Sequence, residues 1–245
     1  MASAVENKAV KEQNTYNQFA DRYAQDYIQS DAERGQFNFS RDVVIPPLLK
    51  LVGNVAGLTV LDAGCGEGII SRLLTERGAQ ITGIDVAPRF IELARERDKT
   101  ASIRYLCHDL SQPLPAYQTH FDLVVSNFVL NDVPDYQGFI ATLATLLKPG
   151  GRIVLSMNNP YSAVMREKVE NYFDSGSSTL YSMAQRGIAV YYYHRTMQEY
   201  VTAFAEQGLL LRRLIDVRMS PELVARFPER EHALPFTLLL ELVKQ

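Results

Sequence analysis

The sequence is poor in cysteine, with two in 245 residues, Cys65 and Cys107. Two thiols cannot make the disulfide framework of a small secreted protein, and no CxxC or Cys/His spacing points to zinc. An excess of positive charge is missing too. The 25 Lys and Arg stand against 28 Asp and Glu, for a net charge of −3 and a pI of about 5.9. A protein that coats nucleic acid or an anionic membrane needs a cationic field, so neither is expected as a partner. The local exception is Arg212, Arg213, Arg218, Arg226 and Arg230, which read as a solvated face. The longest apolar runs, such as Phe236 to Leu242, fall far short of the ~20 residues that span a bilayer. The opening MASAVENKAVKEQ lacks the basic start and apolar stretch of a signal peptide. Repeats, low-complexity blocks and Gly/Ser linkers are absent, and nothing has the spacing of a metal-ligand cluster. A soluble, cytoplasmic, metal-free protein is expected, with no oligomeric state indicated.

What is there suits one globular unit. Hydrophobic residues at 47% and charged residues at 22% can bury a sizeable core, and the length fits a single α/β domain with an insertion. Val10, Tyr16, Phe19, Ala20, Tyr23, Tyr27 and Ile28 recur at helical spacing. Asn38-Phe39-Ser40 offers a cap for a second helix reaching Val52, with Pro46 and Pro47 disturbing its middle.

Strand, turn, helix and strand then repeat. Strands are predicted at Leu58 to Asp62, Ala79 to Asp85, Ser102 to Cys107, Phe121 to Ser126 and Arg152 to Met157. Helices are predicted at Gly68 to Arg77, Pro88 to Asp98 and Gln137 to Leu147. This alternation argues for a mostly parallel sheet covered on both faces. Residues 158–194 break the rhythm and read as an insertion over the mouth of the sheet. It is rich in tyrosine, with Tyr161, Tyr172, Tyr181, Tyr191, Tyr192 and Tyr193, and Tyr200 just beyond. A helix from Met197 to Gln207 precedes strands at Leu209 to Val217 and Phe236 to Val243. A polar loop with no obvious crossover helix joins these two, so they should pair antiparallel.

Asp62-Ala63-Gly64-Cys65-Gly66-Glu67-Gly68 is a glycine-rich turn between a strand and a helix. Such a turn lets a ligand approach the backbone and tolerates positive φ, yet alone it is as readily a mere tight turn. Its partners matter more. Asp85 ends the next strand, 17 residues after Gly68, where a carboxylate can accept two hydrogen bonds from a ribose diol. Asp109 follows the third strand, able to accept from an adenine amino group while Leu110 packs on the ring. Asp62, Asp85 and Asp109 thus stand at the carboxyl ends of successive strands, where open α/β sheets bind ligands. The glycines run GxGxG, with Ile69 where a dinucleotide site wants its third glycine, and Asp62 would repel a pyrophosphate but could hold an ammonium. A nicotinamide-dependent reductase is therefore disfavoured. A ligand with adenosine at one end and an amino acid at the other, S-adenosylmethionine, fits better.

In order and spacing, Asp62 to Gly68, Gly83 to Asp85, Asp109, FDLVVSNFVLNDV (121–133) and LKPGGRIVLSMNNP (147–160) resemble class I S-adenosylmethionine-dependent methyltransferases. The resemblance is strong over roughly 40–160 and continues weakly through 191–209 toward the small-molecule branch. It implies a doubly wound, Rossmann-like α/β fold with a mostly parallel seven-stranded sheet whose last strand is antiparallel. It also implies that Gly64, Cys65 and Gly66 line the methionine part of the cofactor, that Asp85 takes the ribose and that Val86 flanks adenine. Asp109 and Leu110 match the adenine clasp, and Asn127 matches a position whose backbone faces the cofactor's amino acid. The stretch 16–27 is similar to a helix closing over the cofactor, which puts Tyr16 and Tyr23 at the site; an aromatic stripe packed on the sheet is the competing reading.

The organisation expected is one methyltransferase domain over 1–245. It comprises a helical cap (1–52), a cofactor core (53–157), an acceptor-side insertion (158–194), and a closing helix with the last two strands (195–245). Asn158-Asn159-Pro160-Tyr161 is similar to a signature of exocyclic-amine methylation, but it follows the fifth strand rather than the fourth and is discounted. The sulfonium is already activated, so positioning carries much of the chemistry and a base is needed only for a protonated nucleophile. His194 is the candidate base, against the reading of a histidine hydrogen-bonded into a structural corner. Tyr161 and Tyr191 are the candidate acceptor contacts, suited to a planar, apolar or cationic molecule. The function expected is methyl transfer to a small molecule. The alternatives are a protein or RNA acceptor, or a non-catalytic cofactor-binding protein of the same fold.

Overall fold

A computed structural model describes residues 16–22, 37–163, 169–176, 178–183, 188–230 and 234–245. Its centre is a seven-stranded sheet of order β3-β2-β1-β4-β5-β9-β8. The strands are β1 (Thr59–Ala63), β2 (Gln80–Asp85), β3 (Arg104–Cys107), β4 (Phe121–Asn127), β5 (Leu147–Asn158), β8 (Leu209–Asp216) and β9 (Thr237–Lys244). The first five run parallel, and β9 lies antiparallel between β5 and β8. The expected antiparallel pair is therefore present, and the loop between its strands does contain helix, a short one (α7, Pro221–Arg226) capped by the Ser220 hydroxyl. That helix was not foreseen because it is barely two turns long.

Buried parallel strands read as continuous apolar runs because both faces are covered. On one face Leu61, Val124, Leu155 and Leu240 belong to the core with α5 (Tyr136–Leu146) and α6 (Met197–Glu206). On the other, Val60, Leu123, Val125 and Val154 belong to the core with α2 (Ile45–Val52), α3 (Ile69–Thr75) and α4 (Pro88–Arg97). Period-two alternation explains the assignment, neighbours such as Val60 and Leu61 pointing oppositely.

Pro46 and Pro47 do not disturb the middle of a helix, as had been expected. They fall in the first turn of α2, where N–H groups have no intrahelical partner, after a wide turn over Ser40–Val44. Asn38 does cap that turn, its Oδ1 accepting from the Arg41 N–H at 3.0 Å. Of the N-terminal stretch, residues 16–22 form helix α1, whose Ala20 is buried against the start of α4 with Ala87 and Phe90. Val10, Tyr23, Tyr27 and Ile28 lie outside the described residues.

The insertion carries a separate two-stranded antiparallel hairpin, β6 (Ser178–Met183) with β7 (Ile188–Tyr193). It joins the loop after β4 through backbone, the Tyr193 N–H donating to the Asn131 carbonyl at 2.8 Å. No helix among the described residues is long and apolar enough to cross a membrane.

Candidate active site

The chain leaves β1 outward through β2 and β3, then returns to β4 on the other side of β1. That reversal opens a crevice beyond the carboxyl ends of β1 and β4, where doubly wound sheets bind their ligands. Registers Ala63 with Ile84, Asp85 with Cys107 and Asn127 with Ser156 keep the strand ends level there.

The glycine-rich turn is folded by its own backbone. The Gly64 and Cys65 N–H groups both donate to the Ile84 carbonyl, at 2.8 and 3.0 Å. Gly64, Gly66 and Gly68 all have positive φ, of 76°, 53° and 83°. At Gly64 a β-carbon would overlap the Val129 side chain, whereas at Gly66 nothing lies within 4 Å. Gly66 is therefore the position open to a ligand, and Gly64 the one pressed against the loop behind. Cys65 is buried, and burial pushes its thiol well above the usual range.

Asp85 accepts from the Gly66 N–H through Oδ2 and from the Ala87 N–H through Oδ1, both at 2.9 Å. Burial raises its pKa, with those amides working the other way. Asp62, 1% exposed, accepts from the Ser71 hydroxyl at 2.6 Å. Burial pushes its pKa up to about 7 despite that hydroxyl. Asp109 Oδ1 accepts from the Ser111 N–H and hydroxyl at 2.9 and 2.8 Å. Val86 is an exposed apolar side chain beside these carboxylates, while Leu110 is buried within the core. The face expected of Leu110 is thus turned inward.

Asn127 Oδ1 accepts from the Ser156 hydroxyl at 2.7 Å, which orients the end of β4. The next residue, Phe128, has φ of 58°, a left-handed conformation that costs a bulky side chain energy and marks a functional edge. Tyr16 on α1 donates to Asp132 at 2.5 Å, and Asn17 and Asp21 hold Arg89 at the start of α4. Helix α1 thereby ties the segment after β2 to the segment after β4. Tyr23 lies outside the described residues.

On the acceptor side, His194 is fully buried with Nε2 2.7 Å from the Tyr172 carbonyl. A carbonyl only accepts, so Nε2 carries the proton, while Nδ1 is buried and has no hydrogen-bond partner among the described residues. Tyr161, 61% exposed, stacks on Tyr172 with ring centroids 5.1 Å apart, and Tyr172 meets the His194 ring edge to face at 5.7 Å. Tyr191 belongs to a different group, stacked with Tyr193 at 6.5 Å. The two tyrosines expected to hold the acceptor therefore occupy separate aromatic clusters.

Three functional features were missed from sequence. Glu67, inside the turn, is buried and paired with Arg72 at 2.8 Å and Arg97 at 2.7 Å, which rigidifies the turn from two helices. Asn131 holds Asn158 N–H through its side-chain oxygen at 2.8 Å and the Tyr200 hydroxyl through its amide at 3.2 Å. Arg195 is buried behind the loop after β4. Of the three only Glu67 had a local signal, its partner Arg72 lying on the helix that the turn opens; Asn131 and Arg195 act over long range. Asn159, from the discounted motif, is structural: it accepts from the Tyr161 N–H and donates to the Pro235 carbonyl.

Residues 61–155 match a family model described as a methyltransferase domain. The chain is 39% identical over 107 residues to a demethylmenaquinone methyltransferase from Tropheryma whipplei, covering 43% of this chain and 44% of that one. It is 32% identical over 164 residues to a ubiquinone biosynthesis O-methyltransferase from Coxiella burnetii, covering 66% of each. The match thus spans about half to two thirds of the length of these relatives. In fold it is similar to an S-adenosylmethionine-dependent methyltransferase from Mesorhizobium loti (TM-score 0.65, 23% identity, 81% of this chain and 96% of that one). It is also similar to magnesium protoporphyrin IX methyltransferase from Synechocystis, solved with S-adenosylhomocysteine (TM-score 0.63, 22% identity, 95% of this chain and 97% of that one).

Proposed function

We propose that this chain, whose residues 61–155 match a methyltransferase domain, moves the sulfonium methyl of S-adenosylmethionine to a small-molecule acceptor in the cytoplasm, by in-line displacement. The observation that carries this reading is the series Asp62, Asp85 and Asp109, at or just beyond the carboxyl ends of β1, β2 and β3, beside a Gly66 with no described residue within 4 Å of an added β-carbon. In this reading Asp85 takes the ribose hydroxyls, and Asp109 takes the adenine amino group with Val86 beside the ring. Gly64, Cys65 and Gly66 line the methionine chain and Asn127 faces its amino acid. Asp62 stands behind them as the negative charge that favours its ammonium. Tyr16, with Tyr23, belongs to the helix that closes the site. The cofactor is assigned to 53–157, the acceptor to the insertion 158–194, and closure to the cap 1–52, with 195–245 completing the sheet.

The acceptor we propose is a hydroxylated aromatic ring. Two relatives are named for steps toward quinones, and the acceptor side is lined by stacked rings. His194 is the proposed base: its protonated Nε2 is anchored, so Nδ1 is the nitrogen able to take a phenolic proton. Tyr161 and Tyr191 then hold the ring from two sides.

Calorimetry with S-adenosylmethionine should give saturable one-to-one binding, and labelled methyl should pass to a catechol or hydroxyquinone. Label appearing only in protein or RNA would overturn the small-molecule reading, and binding without transfer to any fraction would leave a cofactor-binding protein. His194→Ala should lower turnover by about 10²–10⁴-fold, the usual scale for a proton-transfer group, with cofactor affinity unchanged. Full activity of that variant on a phenol sinks the base assignment.

A further inference from the structure

The loop after β4, Phe128 to Asp135, touches every part of the site. Val129 lies so close to Gly64 that no side chain fits between them. Asp132 receives the Tyr16 hydroxyl of α1. Asn131 receives the Tyr193 N–H of the hairpin and, through its side chain, the Asn158 N–H at the end of β5.

One side chain, from the acceptor-side segment, grips this loop from behind. Arg195 is 4% exposed, and its guanidinium donates to the carbonyls of Leu130 at 3.3 Å, Val133 at 2.7 Å and Pro134 at 2.7 Å. Its Cζ lies 4.4 Å from the Tyr136 ring centroid and 5.3 Å from that of Tyr193. A buried charge is costly unless its hydrogen bonds are made, and here backbone carbonyls and ring faces make them. The guanidinium makes these bonds from two nitrogens held in one plane, Nη1 to Leu130 and Nη2 to Val133 and Pro134, a spacing that an ammonium, with all its donors on one nitrogen, does not reproduce. The clamp joins the residue after His194 to a loop whose near end presses on the cofactor turn.

We propose that Arg195 is a positioning residue that couples the acceptor-side hairpin to the cofactor turn. It fixes the carbonyls of Leu130, Val133 and Pro134, and thereby Val129 against Gly64, so that order in the hairpin favours cofactor binding and bound cofactor orders the hairpin. Such coupling is reciprocal by thermodynamic necessity. The proposal rests on the cofactor reading given above, but its test separates the two.

The probe is S-adenosylhomocysteine, titrated by calorimetry into wild type, Arg195→Lys, Val129→Ala and the double variant. Arg195→Lys should weaken binding about tenfold, within the common range of coupling between sites. The double variant should weaken it by less than the product of the single effects, because both act through one loop. A clamp that served stability alone would leave affinity unchanged and the effects independent. Hydrogen exchange should also quicken over 129–135 and 188–193 in Arg195→Lys while the β1 and β4 amides stay protected. If Arg195→Lys does not fold, Tyr136→Leu removes a ring face but keeps the fork, and should weaken binding about threefold, as the loss of one cation–π contact would. Affinity within twofold of wild type in every folded variant overturns the role of Arg195. A wild type that does not bind S-adenosylhomocysteine overturns the cofactor reading and this proposal with it.

Discussion

The cofactor edge and the acceptor side of this molecule are built in opposite ways. At the cofactor edge each strand delivers one residue at its carboxyl end, and that residue is held by nearby chain: Asp62 by Ser71, Asp109 by Ser111, Asp85 by Gly66 and Ala87. The groups that hold them are backbone amides and small hydroxyls. On the acceptor side most partners come from much farther: Asn131 binds Tyr193 and Tyr200 and Arg195 binds the loop after β4, each across more than sixty residues, while His194 binds Tyr172 over a separation close to that of Asp85 and Gly66. The groups there are rings, a buried imidazole and a buried guanidinium. A ligand that never changes can be met by a local turn, whereas an acceptor pocket needs surfaces assembled from separate segments.

Two glycines of the same turn give the largest expected contrast within the cofactor edge. Gly64→Ala adds a β-carbon into Val129 at a positive φ and should cost about 2–5 kcal/mol in urea unfolding, from strain and overpacking together. Gly66→Ala meets no neighbour, so its cost to folding should be strain alone, about 1–3 kcal/mol, but its methyl enters the cofactor's space. It should therefore abolish detectable calorimetric binding in a folded protein. If Gly66→Ala binds normally, the ligand does not approach that face of the turn.

Next in size, Asp85→Ala should weaken S-adenosylmethionine binding by about 1–3 kcal/mol, the scale for hydrogen bonds to a charged group. Equal affinity in the variant would remove Asp85 from the ribose.

The smallest effect concerns pH. Burial lifts Asp62 from the usual carboxylate value of 3.8 to about 7. In the unliganded protein the native state then holds a proton that the unfolded chain has released between those values. Stability from this group is accordingly full below pH 3.8, falls as pH rises toward 7 and levels off above it. A cationic ligand prefers the ionised carboxylate, so affinity should rise with pH through the same upper range and flatten above pH 7. Calorimetry from pH 6 to 8.5 should show a change of about tenfold or less, because one proton with a pKa of about 7 is involved. Asp62→Asn should flatten the profile; an unchanged slope would assign the proton elsewhere.

The same contrast explains what could be read from the chain beforehand. The carboxyl ends of the strands, the glycines and the three carboxylates are encoded locally, in runs of apolar residues that stop at a turn, and the expected carboxyl ends lie within a residue of the observed ones; the start of β5 does not, falling at Leu147 rather than Arg152. Leu110 was placed correctly in the chain but not in orientation, since its burial depends on helices packed later. Tyr161 and Tyr191 look alike in sequence, and only the path of the hairpin sends them to different clusters. Glu67 drew no role from sequence, because one of its two arginine partners, Arg97, sits on another helix. His194 had a recognisable residue type, but its burial and its Nε2 hydrogen bond follow from Tyr172, more than twenty residues away.

One feature of the sheet sets the order in which this molecule can be completed. Strand β8 has no partner in the sheet except β9, which wedges between it and β5. Emerging from a ribosome, residues 209–216 must wait unpaired until Thr237 to Lys244 arrive. During that interval β5 presents a bare edge, and so does the apolar strand meant to follow it. Joining β5 to β9 closes a loop of some eighty residues, the slow, non-local kind of contact. A nascent chain stalled before Thr237 would therefore be a template for strand exchange with its neighbours, and the last strand is the stitch that ends that exposure.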